Sequence, residues 1–341
     1  MTHKTMERKA VAKIIEDRHA TKRDFVTPIT DLQFRSVPGV GDSFGLHGVP
    51  LNTTATAEKQ ICGHLGIPFD FFTDTMVGAE KEMIVNRLVE KRHAEIVEKN
   101  ETARRKSSES RTFRFHATPN GMELYGVVSE KYSALDNVRI AEWLRDTKAT
   151  HNLEVVKGTG LHPDYSRVRL IAPDIKIGGH TPMIDIANSE NGLNSFAVTC
   201  GIYSFICTNG LVVKVQGTKE YRSRFIHLGN VDVKIPDPDI LIEIAVNNIK
   251  TLVEAEKTYI GTASKVKMAN WMGGKGIIQK DVNGIIDTAN RFYRGGDTVA
   301  NVVGSMTQYA QEYNGEHLSR RADIERVAGE LLATAPRLLA A

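Results

Sequence analysis

Arg111-Thr-Phe-Arg-Phe-His116, the turn Pro119-Asn-Gly121 and the run Met122-Glu-Leu-Tyr-Gly-Val-Val-Ser129 together decide the fold class. The first run alternates polar and aromatic residues, the period-two pattern of a strand with one buried face. Pro-Asn-Gly supplies the backbone conformations of a tight reversal. Residues 111–129 therefore read as an antiparallel hairpin. Downstream, Leu153–Lys157, Arg167–Ala172, Met183–Asn188, Ser195–Ile206 and Leu211–Val215 read as further strands. The alternation is clearest in Arg167-Val-Arg-Leu-Ile171 and Val212-Val-Lys-Val-Gln216. The expectation is one largely antiparallel sheet across residues 111–230.

On either side of these strands the pattern changes. From Asp237 the chain turns helical: Asp237-Pro238-Asp239 sets a capping residue before proline at a first helical position. Asp281, Asp297 and Ser319 are read as openers of three more helices. Upstream, a helix is expected from Thr56, carrying Ile61 and Leu65, to Gly66, followed by a charged helix over 79–106. Asp136 or Asn137 is expected to cap a short helix beginning at Val138. Strands followed by helices give an α+β protein, a central antiparallel β-sheet packed with helices and a helical C-terminal region. The division expected is an irregular N-terminal segment over 1–55, an α+β core with the antiparallel sheet over 56–236, and a helical region over 237–341.

The 341 residues are enough to bury a core without disulfides or a metal. The three cysteines, Cys62, Cys200 and Cys207, form no C-x-x-C pair, so a disulfide scaffold and a zinc site are both disfavoured. They read as buried thiols of a reducing cytoplasm. No apolar run is long enough for a membrane helix, and the N-terminus lacks the apolar core of a secretion signal. A net charge of +3 is far from that of a histone-like binder, but it leaves room for a local basic groove.

The sequence lacks the phosphate loop of P-loop NTPases, the H-E-x-x-H zinc helix and the G-x-S-x-G elbow. Gly273-Gly-Lys-Gly276 has neither the spacing nor the hydroxyl residue of a phosphate loop and reads as a flexible turn. The stretch that points to a function runs from Tyr203 to His227. Lys214, Lys219, Arg222, Arg224 and His227 stand there against one acid, Glu220, with Tyr221 and Phe225 among them. Cationic side chains contact phosphates and aromatic rings stack on unpaired bases. Arg167 and Arg169 alternate with apolar residues, so they share one strand face and extend the same set. Asn188, Asn191, Asn209 and Asn230 each fall beside or near a glycine and read as turn formers.

Several fragments, in order, resemble the phage/plasmid-like protein family known as domain of unknown function 932. Gly126-Val-Val-Ser-Glu-Lys-Tyr-Ser-Ala-Leu-Asp-Asn137 is similar to its most recognisable run. Ala57 to Pro68, Asn188-Ser-Glu-Asn-Gly192, Ile206-Cys-Thr-Asn-Gly-Leu211 and His227-Leu-Gly-Asn230 resemble further elements, so the likeness spans roughly residues 57–260. Val303-Gly-Ser-Met-Thr-Gln-Tyr309 is a weaker echo, with Val299 and Val302 near where the family has tryptophan. The resemblance implies a mobile-element setting and transfers no catalytic residue.

The reading that follows is a phage- or plasmid-encoded protein of the bacterial host cytoplasm. It binds single-stranded DNA in recombination, annealing or replication through Arg167, Arg169, Lys214, Lys219, Tyr221, Arg222, Arg224, Phe225 and His227. No cofactor, metal or membrane partner is expected, and homo-oligomerisation is left open. The rivals are an enzyme acting on nucleic acid or nucleotides near Asn209, Arg222 and His227, and a host-interaction factor with no nucleic-acid role.

Overall fold

The computed structural model describes residues 5–340 except 40, 103–109, 134, 157–159, 163, 205–208, 212–221, 226–234, 260–261, 293–297, 312 and 314–317. In chain order the elements are β1 (Thr5–Met6), α1 (Arg8–Ala20), β2 (Arg23–Pro28), β3 (Leu32–Val37), β4 (Gly41–Leu46), β5 (Val49–Pro50) and β6 (Asn52–Thr53). Next come α2 (Ala55–Leu65), α3 (Phe69–Asp74), α4 (Gly78–Thr102), β7 (Ser110–Thr118), β8 (Gly121–Ser129) and α5 (Val138–Asp146). Then follow β9 (Glu154–Val156), β10 (Ser166–Ile171), β11 (His180–Asn188), β12 (Phe196–Ser204), β13 (Asn209–Leu211) and β14 (Arg222–Phe225). The C-terminal region holds α6 (Pro238–Glu256), α7 (Thr262–Gly274), α8 (Gln279–Phe292), α9 (Val299–Ala310) and α10 (Leu318–Ala340).

The protein is α+β, with its helical run at the C-terminal end as expected. The predicted hairpin is β7–β8, paired antiparallel from Arg111↔Ser129 to Thr118↔Gly121. The expectation of one sheet is corrected. A seven-stranded sheet runs β1-β9-β10-β11-β12-β13 with β14 also on β12, while β7 and β8 belong to a separate four-stranded sheet, β2-β7-β8-β6. The β3-β4-β5 sheet is the third. The pairings are antiparallel apart from β6 with β8.

The N-terminal segment is not irregular: it holds α1 and β2 to β6. Its prolines mark strand ends and turns. Pro28 closes β2, Pro50 closes β5, and Pro38 sits in the turn between β3 and β4. In those positions the missing N–H costs no ladder bond.

Each sheet has its own core. Ile29, Phe34, Phe44, Ile61, Phe72, Phe113 and Leu124 join the small sheets to α2, α3 and α4. Val168, Leu170, Ile184, Ile186, Phe196 and Val198 form one face of the large sheet and pack against Ile140 and Leu144 of α5 and Leu241 and Ala245 of α6. A further core gathers α7 to α10 around Met272, Ile285, Met306 and Val327. Of the three phenylalanines after Pro68, Phe72 is buried, Phe69 partly so and Phe71 exposed.

Several helix starts move, and the expected openers Asp281 and Ser319 fall inside α8 and α10. Thr54, not Thr56, caps α2, its hydroxyl accepting from Ala57 N at 3.2 Å. Thr298 caps α9, accepting from Asn301 N at 3.3 Å; the expected opener, Asp297, lies outside the described residues. Among the described residues no helix is long and apolar enough to cross a membrane.

Candidate functional site

Register places four arginines in two adjoining rows across the large sheet. One row runs Arg169↔Asp185↔Thr199↔Arg222, and the next runs Arg167↔Ala187↔Ala197↔Arg224. Directly opposed residues in antiparallel strands share a face. The face that grouped Arg167 with Arg169 in the sequence thus continues through Asp185 and Ala187 of β11 to Thr199 and Ala197 of β12. Phe225 pairs out of phase with these rows, opposite Phe196, which belongs to the core face of the sheet. Lys214, Lys219, Tyr221 and His227 lie outside the described residues.

Arg167 and Arg169 do not stand on an open surface, which corrects the expectation. They are 6% and 8% exposed, and their charges meet carboxylates. Arg167 Nε donates to both Asp185 oxygens, at 2.8 and 2.9 Å, and Nη1 donates to Glu325 Oε2 of α10 at 2.7 Å. Arg169 Nη2 donates to the same Glu325 oxygen. Arg321, one turn earlier on α10, donates from Nε to Glu325 Oε1 at 3.0 Å. Burial opposes ionisation of Glu325, but Arg169, Arg167 and Arg321 outweigh it and hold the carboxyl below its usual range. Burial also opposes the charge on Arg167, and Asp185 and Glu325 overcome it. Arg169 fares worse, its pKa lowered by burial and by the neighbouring Arg167. The network ties α10 to the sheet, and its arginines are unavailable to a phosphate in this arrangement.

Two of the motif fragments, Gly126–Asn137 and Asn188–Gly192, meet at a second place, the junction between the two larger sheets. Gly126 packs so closely that an added Cβ would lie 2.7 Å from Asn191 Cβ. Tyr132 OH donates to Ser189 O at 3.2 Å, at the strand-to-helix junction. Asn137 does occupy the cap position of α5, but its side chain makes no cap bond. It donates to Ser166 Oγ at 2.9 Å instead and accepts from Asn188 Nδ2 at 3.0 Å. Asp136 is not a cap either: it accepts from Arg114 Nη2 at 2.7 Å. Asn188 and Asn191 are fully buried and bridge separate segments, beyond a turn-forming role. Asn191 Nδ2 donates to Asp164 Oδ1 at 2.5 Å and to Tyr125 O at 3.2 Å.

Arg114 is the centre of this junction. It is 1% exposed, and its Nε also donates to Asp24 Oδ1 at 3.0 Å while Nη1 donates to Glu190 O. Lys22 forms an ion pair with Glu190 and lies 3.8 Å from Asp136. Burial opposes ionisation of the half-buried Asp136, yet Arg114 and then Lys22 hold its carboxyl below the ordinary range. His116 Nε2 lies 3.2 Å from Glu123 Oε2, and burial, then Arg18, lowers its pKa. Burial likewise pushes the Tyr125 hydroxyl up, and it finds no hydrogen-bond partner among the described residues.

Arg114, Asp185, Glu190 and Glu325 were not singled out in the sequence. Arg114 falls on the polar phase of the alternating run, between Phe113 and Phe115, so the pattern gave no sign of its burial. Among the described residues no group of three or more His, Cys, Asp or Glu could hold a metal ion.

The fold and this site define an α+β protein whose antiparallel sheets are joined by buried ion pairs. Residues 124–264 match the family model described as Domain of unknown function (DUF932). That stretch holds β8 to α6 and with them the Gly126–Asn137 and Asn188–Gly192 fragments, so the match falls where the resemblance was expected. The Ala57–Pro68 fragment lies outside the match. No curated protein and no solved structure matches the chain.

Proposed function

We propose that this protein binds single-stranded DNA along the β14 edge of the large sheet, as a non-enzymatic factor of a phage or plasmid acting in the host cytoplasm. The observation that carries the reading is the register of Arg222 opposite Thr199 and Arg224 opposite Ala197. Among the described residues β14 pairs with β12 alone, so these arginines occupy an edge. The sequence around them adds Lys214, Lys219 and His227 as cations and Tyr221 and Phe225 as rings.

Arg222, Arg224 and the lysines would neutralise phosphates and release counterions, while Tyr221 stacks on a base. Arg167 and Arg169 take a different part from the one first expected. Held by Asp185 and Glu325, they fix the sheet against α10 and so position the edge. Fluorescence anisotropy with a labelled single-stranded oligonucleotide, over a salt series, tests the proposal. Steeply salt-dependent binding that Arg222→Ala or Arg224→Ala weakens supports it.

A further inference from the structure

Helix α7, whose sequence shows no single apolar stripe, is joined to α8 by the four residues Lys275–Ile278. Its C-terminal end is closed tightly. Gly276 has φ +87°, Ile277 N donates to Met272 O at 3.2 Å, and Gly276 N donates to Gly273 O at 3.0 Å. A left-handed glycine with a bond from the next residue back into the helix is a fixed C-terminal cap. Within this turn Gly273-Gly-Lys-Gly276 is therefore an ordered corner. Ile278 starts the next helix, its carbonyl accepting from Val282 N at 3.1 Å.

The apolar residues follow the corner. Met268 and Met272 of α7, Ile277 of the turn, and Val282 and Ile285 of α8 are all buried in one core, braced by Val303 and Met306 of α9 and Val327 of α10. A glycine-bearing turn of three or four residues between two helices, with such a core beneath, is the connection used in the helix-turn-helix unit, whose second helix enters the major groove of DNA.

The outer face of α8 carries the side chains such a helix needs. Gln279, Lys280, Asn283, Asn290 and Arg291 are exposed and fall on one side of it. Gln and Asn read adenine edges, and Arg and Lys read guanine or hold phosphate. Gln279 Nε2 now donates to Asn283 Oδ1 at 2.9 Å, a surface bond that base edges could replace. Residues 262–292 contain five Lys or Arg against two Asp. Asp281 points inward, accepting from Arg320 Nε at 2.9 Å and Tyr313 OH at 2.7 Å, which leaves Asp287 as the acid on the exposed face.

We infer that α7 and α8 form a helix-turn-helix that seats α8 in the major groove of duplex DNA. This is a site separate from the β14 edge, and it lies largely outside the family match.

The test is binding of the full chain to labelled duplex DNA of random sequence at several salt concentrations, followed by selection from a random duplex pool. Lys280→Ala and Arg291→Ala should each flatten the salt dependence, by about 0.9 in log–log slope where the native side chain meets a phosphate. Asp287→Asn should tighten binding. Gln279→Ala and Asn283→Ala should weaken binding to the selected sequence by roughly 5- to 150-fold for each base edge no longer read. These positions are exposed, so circular dichroism should show every variant folded. No duplex binding at low salt overturns the inference, as does duplex binding indifferent to all five variants, or abolished only by Arg222→Ala or Arg224→Ala. Duplex binding that depends on α8, without single-strand binding, would support the helix-turn-helix and defeat the β14 proposal.

Discussion

Arg114 Nη2 donates to Asp136 Oδ1 at 2.7 Å, joining a strand of the four-stranded sheet to the loop before α5. Arg114 is 1% exposed, so its charge depends on this partner, Asp24 and the Glu190 carbonyl. Removing one member of a buried pair typically costs about 3–5 kcal/mol, against about 1 kcal/mol for a missing helix cap. Asp136→Ala should therefore lower unfolding stability in urea by at least about 2 kcal/mol, allowing for Asp24 as a remaining partner. A loss of about 1 kcal/mol would return Asp136 to the capping role.

The junction also sets a pH dependence. The folded-state pKa of His116 is lowered by burial and Arg18. The unfolded chain then takes up the proton first, so stability falls as pH drops below the unfolded value of about 6.5, until the folded pKa is passed. His116→Gln should flatten stability against pH in that window. Asp136 and Glu325 act lower: their depressed carboxyls stabilise the fold above the ordinary carboxylate range, and that contribution is lost as pH falls through their folded pKa values. Denaturant midpoints measured from neutral to acid pH separate the two windows.

Glu325 is 0% exposed and faces three arginines. Glu325→Gln keeps the shape and removes the charge, leaving Asp185 alone against them. The expected cost is about 3–5 kcal/mol of stability, with earlier hydrogen exchange along α10. Unchanged α10 protection would show that the ion pairs do not hold the helix.

Gly126→Ala probes the close approach of the two sheets. A Cβ at 2.7 Å from Asn191 Cβ requires backbone to shift, and overpacking of this kind costs about 1–3 kcal/mol. Gly63→Ala, where an added Cβ meets nothing within 4 Å, is the control and should not destabilise α2.

What could be read from sequence follows from the range of each interaction. The β7–β8 hairpin was legible because alternation and turn lie within twenty residues. The shared face of Arg167 and Arg169 was legible for the same reason. Their burial was not, because Glu325 lies 158 and 156 residues away, and alternation does not say which face is covered. Helix α7 escaped notice because Val266 is exposed, Trp271 is only half-buried, and Gly273-Gly274 interrupts the pattern, so no single apolar stripe appears. In the N-terminal segment, prolines at strand ends looked like breakers of structure. Asp136 and Asn137 had the residue types of caps, but buried arginine and asparagine partners from elsewhere in the chain claimed their side chains.

The most direct test of the central claim is the salt dependence of single-stranded DNA binding by the intact chain and its Arg222→Ala and Arg224→Ala variants. Affinity should fall steeply with salt, and each substitution should flatten the log–log slope by about 0.7. Tyr221→Ala should cost about 1–3 kcal/mol where the ring stacks on a base, with the slope unchanged. Absence of binding at low salt by folded protein, or a slope that neither arginine variant alters, would contradict the account.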